Sequence, residues 1–439
     1  MSKLLLNSAV AGPLATRQWA AQAQTGDIQR AAAADRERKI HLLVFTSLYP
    51  NAEQPRHGLF VEERLRHLVD FGAITATVVA PVPWFPFRNA SFGAYARYAA
   101  VPAIEERHGI SILHPRYPLI PKFGMSIAPS LMYYALLPVL RKLQTAGAAF
   151  DLLDAHYFYP DGVAAARLGT ALGIPVVITA RGSDVTWIPR YRRCRVQIQK
   201  AARSAAAVVT VSQALKRTLA ALNVNPEKTT VLRNGVDLDR FKPHDRSEIR
   251  TRLGLHGPVW LTVSNLVALK GVDIVIEALA QVPHATLLIA GDGPEESRLR
   301  ERAERLDLLT RVHFLGAVAQ SELCSYYNAA DVLVLASSRE GMPNVVLEAL
   351  ACGTPVLATP VGGVPELITC PEAGELMRER SAEALVVAWT ALQLRKVDRV
   401  ATRKFAEGLG WRPVLKAQSA LYAQVLAART GNAATGPLA

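Results

Sequence analysis

Two glutamates with seven residues between them carry the strongest chemical signal in this chain. Glu340 and Glu348 fall in DVLVLASSREGMPNVVLEALACGTPVLATPVGGVPELI, residues 331–368. An apolar run ends in Ser-Ser-Arg, Glu340 follows, and Gly341, Met342, Pro343, Asn344 and Val345 open a helical pattern that carries Glu348. Gly341 lets backbone approach a ligand closely. Pro343 suits the first helical turn, where its missing N–H costs nothing. First-turn amides have no acceptor inside the helix and can bond an anion or a hydroxyl. Fixed carboxylates accept hydrogen bonds from hydroxyls, so a polyol such as a sugar or a ribose is the natural target. The plainer alternative makes Glu340 a helix-start carboxylate favoured by the dipole and Glu348 a solvated helix residue; the surrounding Gly-Met-Pro and Ala-Cys-Gly-Thr-Pro-Val context weighs against it.

Other candidates stand just after apolar runs. His156 ends one in DAHYFYPDGVAAARLG (154–169), with Pro160-Asp161-Gly162 opening the next helix. In TARGSDV (179–185), Arg181 is placed to meet a phosphate and Asp184 a sugar or acceptor hydroxyl, a mutual salt bridge being the sober alternative. Gly58 precedes a helical pattern and can bring amides near a phosphate or acceptor, or serve only as a turn. Asp237-Leu238-Asp239 spells D-x-D, a divalent-ion pattern, but lies within the stretch 230–258, where a linker is expected.

These residues need a scaffold that gathers strand ends. Short β-branched runs alternate with helical patterns, the mark of parallel sheets wrapped by helices. Strands are expected at 41–49, 76–81, 110–117, 151–157, 175–181 and 207–212, then at 259–265, 285–290, 312–315, 331–337 and 355–359. The rhythm pauses from Thr230 to about Pro258, where a linker is expected. Residues 1–38 are expected to be a poorly ordered extension, 39–240 an N-terminal domain, 241–405 a C-terminal domain, and 406–428 a final helix packing back on the first domain. Ligands of open parallel sheets sit beyond the carboxyl ends of the strands, so the site is expected in an interdomain cleft.

At 439 residues, half of them apolar, two cores are feasible. No run reaches the roughly 18 apolar residues of a membrane span; the nearest, Ile127 to Leu140, is broken by Pro129 and Pro138. The four cysteines form no C-x-x-C pair, which supports neither a zinc site nor a disulfide framework and fits a reducing cytoplasm. The net charge of +13 divides as +2 over residues 1–38, +11 over 39–240 (24 basic against 13 acidic) and 0 over 241–439. Such asymmetry predicts an anionic partner. Arg190, Arg192, Arg193, Arg195, Lys200 and Arg203 concentrate it on one helix, either as a solvated face or as contact with an anionic membrane surface. No nucleic-acid motif accompanies it.

The segment 331–368 resembles the signature of glycosyltransferase family 4, the retaining GT-B family. VLRNGVDLDRFKP (231–243), LLIAGDGPEESRL (287–299) and LVFTSLYPNAEQPRHGLFVEERLRHL (43–68) are similar to other family stretches in order and spacing, so the resemblance covers about residues 40–425. It implies two Rossmann-like, doubly wound parallel-sheet domains facing across a cleft. It implies that Glu340 approaches the donor sugar, that the amides of Gly341 to Val345 contact the donor, that Glu348 binds ribose, and that His156 lies near the donor sugar. LTVSNLVALKG (261–271) resembles the family's phosphate clamp: Lys270 matches, whereas Asn265 stands where an arginine is usual. The resemblance also implies metal independence, with a nucleotide sugar as substrate and no cofactor.

The expected activity is therefore transfer of a sugar to a glycan or lipid-linked acceptor, in surface or exported polysaccharide biosynthesis, by a cytoplasmic enzyme peripheral at the membrane. A nucleotide-sugar epimerase of the same fold is the main alternative. A dehydrogenase lacks its G-x-G-x-x-G, since Gly291-Asp292-Gly293 has no third glycine, and a non-catalytic sugar-binding protein does not need paired glutamates. The apolar loops 81–87 and 117–125 are the expected acceptor-facing segments.

Overall fold

Runs such as IHLLVF and VWLTV present apolar side chains to both sides, and strands of this kind are stable only where helices cover both faces of a sheet. The computed structural model describes residues 39–434 apart from 73, 90, 92 and 120–123, so the expected extension 1–38 lies outside the described residues. The chain forms two units. One takes residues up to Val211, Leu215–Leu232 and the chain from Leu415; the other takes Ser212–Ala214 and Arg233–Val414.

The first unit contains β1 (Ile40–Phe45), β2 (Ile74–Val79), β3 (Val82–Pro83), β4 (Ile104–Arg107), β5 (Ile110–Leu113), β6 (Arg116–Tyr117), β7 (Leu152–His156), β8 (Val176–Ala180), β9 (Ala207–Thr210) and β10 (Thr229–Val231). Eight of them form one sheet in the order β10-β9-β8-β7-β1-β2-β5-β4. Every pairing is parallel except the edge hairpin β4–β5, whose turn puts His108 and Gly109 at positive φ, as a two-residue hairpin loop requires. Leu42 to Phe45, Leu152, Leu153, Val177, Ile178 and Val208 are fully buried along its centre. The two short strands β3 and β6 pair with each other, which sets Val82 and Pro83 of the loop 81–87 beside Arg116 and Tyr117. Within the first of these loops Phe85 packs on Phe87 and Tyr95.

The second unit contains β11 (Val259–Val263), β12 (Thr286–Ala290), β13 (Val312–Gly316), β14 (Val332–Leu335), β15 (Val356–Ala358) and β16 (Gly374–Leu376). Their order is β13-β12-β11-β14-β15-β16, all parallel. Counted within the unit this is 3-2-1-4-5-6, the dinucleotide-fold order. The polar stretch ahead of β11 holds the helix Arg246–Arg252, capped by the Asp245 carboxylate on the Ser247 amide.

The helix Ala128–Thr145 takes up the apolar run Ile127 to Leu140 except for Ile127, its N-cap, and has Pro138 inside it. No helix among the described residues is long and apolar enough to cross a membrane. The final helix, Trp411–Ala434, gives Gln418 and Tyr422 to the first unit, where both are buried.

The core of the second unit centres on Trp260, fully buried on β11 and edge-to-face with Trp389 at 5.4 Å. Trp260→Ala leaves a cavity that rigid strands cannot fill, and we expect a loss of about 3–5 kcal/mol in denaturant unfolding; a loss near zero would mean that the site collapses freely.

Candidate functional site

In the second unit the strand order reverses between β11 and β14, and loops leaving neighbouring strands at such a point diverge. Lys270 is in the loop after β11 and Glu340 in the loop after β14. The Lys270 Nζ donates to Glu340 Oε1 at 2.6 Å, with the side chains 23% and 10% exposed. The two loops are tied at their base by the Ser338 amide, which donates to Leu269 O at 2.8 Å. Gly271, at φ 67°, lies so close to this second loop that a Cβ would meet Ala336 O at 2.2 Å. Asn265 is exposed near the start of the first loop.

Glu340 is held from a third side. The Gly363 amide donates to Gly341 O at 3.0 Å, and a Cβ on Gly362, at φ 55°, would lie 1.9 Å from Glu340 O. The two glycines after β15 therefore form the surface on which Glu340 and Gly341 rest. Pro343 was expected inside the first helical turn. It is instead the N-cap, at ψ 112°, and the helix runs Asn344–Ala351; the extended ψ turns the chain out of the loop before the first helical residue. Asn344 accepts from the Asn234 side-chain amide at 2.7 Å. Met342 is buried.

Glu348 is buried rather than solvated, at 7% exposure. The Tyr327 hydroxyl donates to its Oε2 at 2.7 Å. Burial, and next the Glu348 charge, push the Tyr327 phenol well above its ordinary range, so it stays a donor.

Two further residues escaped sequence reasoning. Tyr327 gave no signal because its partner is 21 positions away. Arg380 donates from Nε to Ala336 O at 2.8 Å and from Nη2 to Ala268 O at 3.4 Å, bracing both loops; in sequence it is one arginine in a charged run. The pair Gly362-Gly363 was visible as two glycines after a strand.

The first unit has its own reversal, between β1 and β7. Asp161 ties the loops there: its Oδ2 accepts from the Ser47 amide at 2.8 Å and the Ser47 hydroxyl at 2.9 Å. Burial raises this carboxyl to about 7. Gly58 is the N-cap of the helix Leu59–Asp70 at φ 75°. A Cβ there would sit 2.3 Å from Leu48 carbonyl atoms, so close approach of backbone requires the glycine.

His156 is buried and both ring nitrogens are engaged. Its Nε2 faces Asp154 Oδ2 at 3.1 Å, and Arg181 Nη2 lies 2.8 Å from Nδ1. Since arginine only donates, Nδ1 accepts and the ring proton is on Nε2, a tautomer assigned from its partners. His156, expected beside the donor sugar, holds the Arg181 guanidinium, which also stacks over Phe60 at 5.2 Å. Burial, and next the Arg64 charge, lower Arg181 to about 9. Tyr422 donates to Asp154 Oδ2 at 2.7 Å and Arg64 Nε to Gln418 Oε1 at 2.7 Å, so a buried polar chain joins the last helix to this cation.

Asp184 requires a correction. It was expected to meet a sugar or acceptor hydroxyl, but it is fully buried and accepts from the amides of Phe158 at 2.7 Å, Gly182 at 2.6 Å and Arg181 at 3.1 Å. The strand end turns sharply here, its amides need an acceptor, and the carboxylate supplies it.

The model described as "Glycosyl transferases group 1" matches residues 245–404, and "Glycosyltransferase Family 4" matches 98–240. The chain is 33% identical over 366 residues to the putative teichuronic acid biosynthesis glycosyltransferase TuaC of Bacillus subtilis (strain 168), covering 81% of this chain and 90% of that protein. It is 35% identical over 178 residues to D-inositol 3-phosphate glycosyltransferase of Mycobacterium leprae (strain Br4923), 39% of this chain and 41% of the relative. Among solved structures, sucrose-phosphate synthase from Thermosynechococcus elongatus superposes with a TM-score of 0.72 at 21% identity, covering 89% of this chain and 100% of the other. Anabaena Alr3699/HepE in complex with UDP-glucose gives 0.65 at 21%, again covering 89% and 100%. These structures share the GT-B fold.

Burial is the largest cause holding His156 below 6.5; Asp154 draws it up and Arg181 pushes it down. Because the depressed midpoint belongs to the folded state, the neutral ring's contribution to stability is whole above pH 6.5 and is lost as pH falls through the folded midpoint. Arg181→Met removes a lowering charge, and we expect the His156 midpoint, followed by NMR of the ring C–H signals, to rise. A midpoint that stays fixed or falls would contradict the pairing.

Proposed function

The chain belongs to glycosyltransferase family 4, and from that premise we propose that this glycosyltransferase moves a sugar from a nucleoside-diphosphate donor to a hydroxyl of a glycan or lipid-linked acceptor with retention, in the biosynthesis of a surface or exported polysaccharide. The observation that carries the donor part is the Lys270–Glu340 contact at the β11/β14 reversal, with Glu348 buried on the helix that follows. Phosphate groups of nucleotides bind where amides and a cation converge at such a point. TuaC, named for teichuronic acid biosynthesis, supports the polysaccharide setting, and the relative solved with UDP-glucose supports a nucleotide sugar as donor.

The departing diphosphate needs charge stabilisation, which Lys270 and the amides of Gly341, Met342, Asn344 and Val345 supply in a preorganised form. Glu348, with one oxygen fixed by Tyr327, accepts from ribose. Glu340, now paired with Lys270, accepts from the donor sugar once phosphate takes up the lysine's charge. In the first unit Arg181, steadied by neutral His156, offers its cation to an anionic ligand group. No protein base is assigned to the acceptor: a front-face route in which the leaving phosphate takes its proton needs none. Transfer is independent of a metal ion. In support, Asp237 of the D-x-D triplet uses its Oδ1 to accept from the amides of Asp239 at 3.1 Å and Arg240 at 3.0 Å, as a turn-forming aspartate does.

The enzyme works at an anionic membrane surface. On the first unit the helix Arg192–Ser204 exposes Arg192, Arg193, Arg195 and Lys200. Beside it Arg190 is exposed, and the part-exposed rings of Trp187 and Tyr191 meet edge-to-face at 5.6 Å. Arginines next to amphipathic rings suit the headgroup layer of a bilayer.

Two experiments test these statements. A true nucleotide sugar raises the melting temperature by mass action, and we expect Glu340→Ala, Glu348→Ala and Lys270→Ala each to weaken that shift and to lower kcat by about 10²–10³, while EDTA leaves wild-type transfer intact. Unaltered donor stabilisation and turnover in the glutamate variants would sink the assignment. For the membrane, co-sedimentation with phosphatidylglycerol vesicles should exceed that with phosphatidylcholine and drop in Arg192→Glu/Arg193→Glu; binding indifferent to lipid charge refutes it.

A further inference from the structure

Four cysteines showed no pattern in sequence, yet the fold brings two of them together behind the helix that carries Glu348. Cys324 lies on the helix Gln320–Ala329 and Cys352 immediately follows the helix Asn344–Ala351. Their sulfurs are 3.7 Å apart in a buried setting. A disulfide needs about 2.05 Å between sulfurs, so small movements of two helix ends separate the thiol and disulfide forms.

The two thiols are not equivalent. Cys352 is fully enclosed, and burial pushes its thiol up. Cys324 is buried at 7% exposure but adjoins exposed residues, with Lys242 O 3.6 Å from its sulfur and His244 beside it. The neighbouring Cys352 thiol, more than any other group, draws Cys324 down to about 6. A sulfur drawn down beside exposed residues, with a fully enclosed partner 3.7 Å away, is the arrangement of an attacking and a resolving cysteine.

Both helices reach the donor site. Tyr327 is one turn beyond Cys324 and holds Glu348, while Cys352 is four residues beyond Glu348. The Cys324 helix is also tied to the segment before it, since the Asn328 side chain accepts from the His244 amide at 2.8 Å and donates to Lys242 O at 3.0 Å.

We propose that Cys324 and Cys352 form a reversible oxidation site, closing to a disulfide by exchange with a low-molecular-weight disulfide, and that closure weakens nucleotide binding through the Tyr327–Glu348 contact. In the first step the Cys324 thiolate attacks one sulfur of the small disulfide; a mixed disulfide forms and one small thiolate leaves, taking up the proton that Cys324 lost. In the second step Cys352 gives up its proton and attacks Cys324 Sγ, expelling the second small thiolate, which takes that proton. Two protein thiols are oxidised and one small disulfide is reduced to two thiols. Drawing Cys352 toward Cys324 shifts the end of the helix that carries Glu348 against the helix that carries Tyr327. The coupling rests on the donor-site reading above, whereas the thiol chemistry does not.

Native protein treated with oxidised glutathione, quenched by acid and mapped by mass spectrometry should lose two hydrogens in a peptide pair joining Cys324 to Cys352, reversibly with dithiothreitol. Cys352→Ser should stop at a glutathionyl adduct on Cys324, and Cys324→Ser should remain unmodified at Cys352. Oxidised wild type should bind UDP about tenfold more weakly than reduced wild type, with altered amide hydrogen exchange over residues 344–352, and Cys324→Ser should show neither change. If neither thiol reacts in the folded protein, the oxidation site is refuted. If the disulfide forms while exchange over 344–352 stays the same, the coupling is refuted. Should UDP not bind even the reduced protein, the exchange measurement decides alone, and the fault lies with the donor reading.

Discussion

In the second unit, chain connectivity forces the crossovers on the two sides of β11 to run in opposite directions, and so the loops leaving β11 and β14 part from one another. A gap of this kind leaves backbone groups at both strand ends without sheet partners. The surrounding structure answers that need at the base of the gap and not at its mouth. Ser338 reaches back to Leu269 O, Arg380 spans Ala336 O and Ala268 O, and Gly271 allows the two backbones to touch. The Gly291–Gly293 loop presses in from the other flank, where a Cβ on Gly291 would lie 1.8 Å from Ser264 O. Both loops are rigid because their bases are bonded, and this lets Lys270 and Glu340 be held at a fixed separation rather than waving from flexible connections.

The first unit meets the same topological demand with buried charge. Burying Arg181 disfavours its charged form, and its position next to His156 Nδ1, the Phe60 ring and the Asp154 field offsets part of that cost. Asp154 in turn takes Tyr422 and His156 on one oxygen, while its Oδ1 has no hydrogen-bond partner among the described residues. A buried chain satisfied on one side only is costly.

Much of this was legible in the sequence, and the exceptions have physical causes. Continuous apolar runs marked the central strands because both their faces are covered. β4, with the sequence IEER, was missed because an edge strand can carry charge and shows no apolar run; β10 (TTV) and β16 (GEL) are short edge strands that likewise show no apolar run. Glu340 was visible through its spacing from Glu348 and its glycine-rich surroundings, and Lys270 through the resemblance of its segment to a phosphate clamp. Asp184 looked the same as a ligand-binding carboxylate, since an acid after a strand reads alike whether it accepts from a sugar or from three amides. Pro343 missed its place by one residue, within the ordinary uncertainty of a helix start. Tyr327, Arg380 and the Cys324–Cys352 pair depend on helices crossing far along the chain, and no local pattern encodes such a meeting.

The two glutamates of the motif are held in opposite ways, and this bears on how a donor would be received. Glu348 is buried with Oε2 fixed by a phenol that stays protonated, so its orientation is set before any ligand arrives. Glu340 is paired with Lys270, the charge that a diphosphate would attract under the proposed function. A bound diphosphate must therefore compete with Glu340 for the lysine, and the carboxylate it displaces is then available to hydroxyls. An exchange of ion-pair partners costs less than stripping a lone lysine of water, because the ammonium is already partly desolvated in the pair. Under the proposed function, the Lys270–Glu340 contact is the resting form of the donor site, and Glu348 is the fixed point against which the exchange takes place.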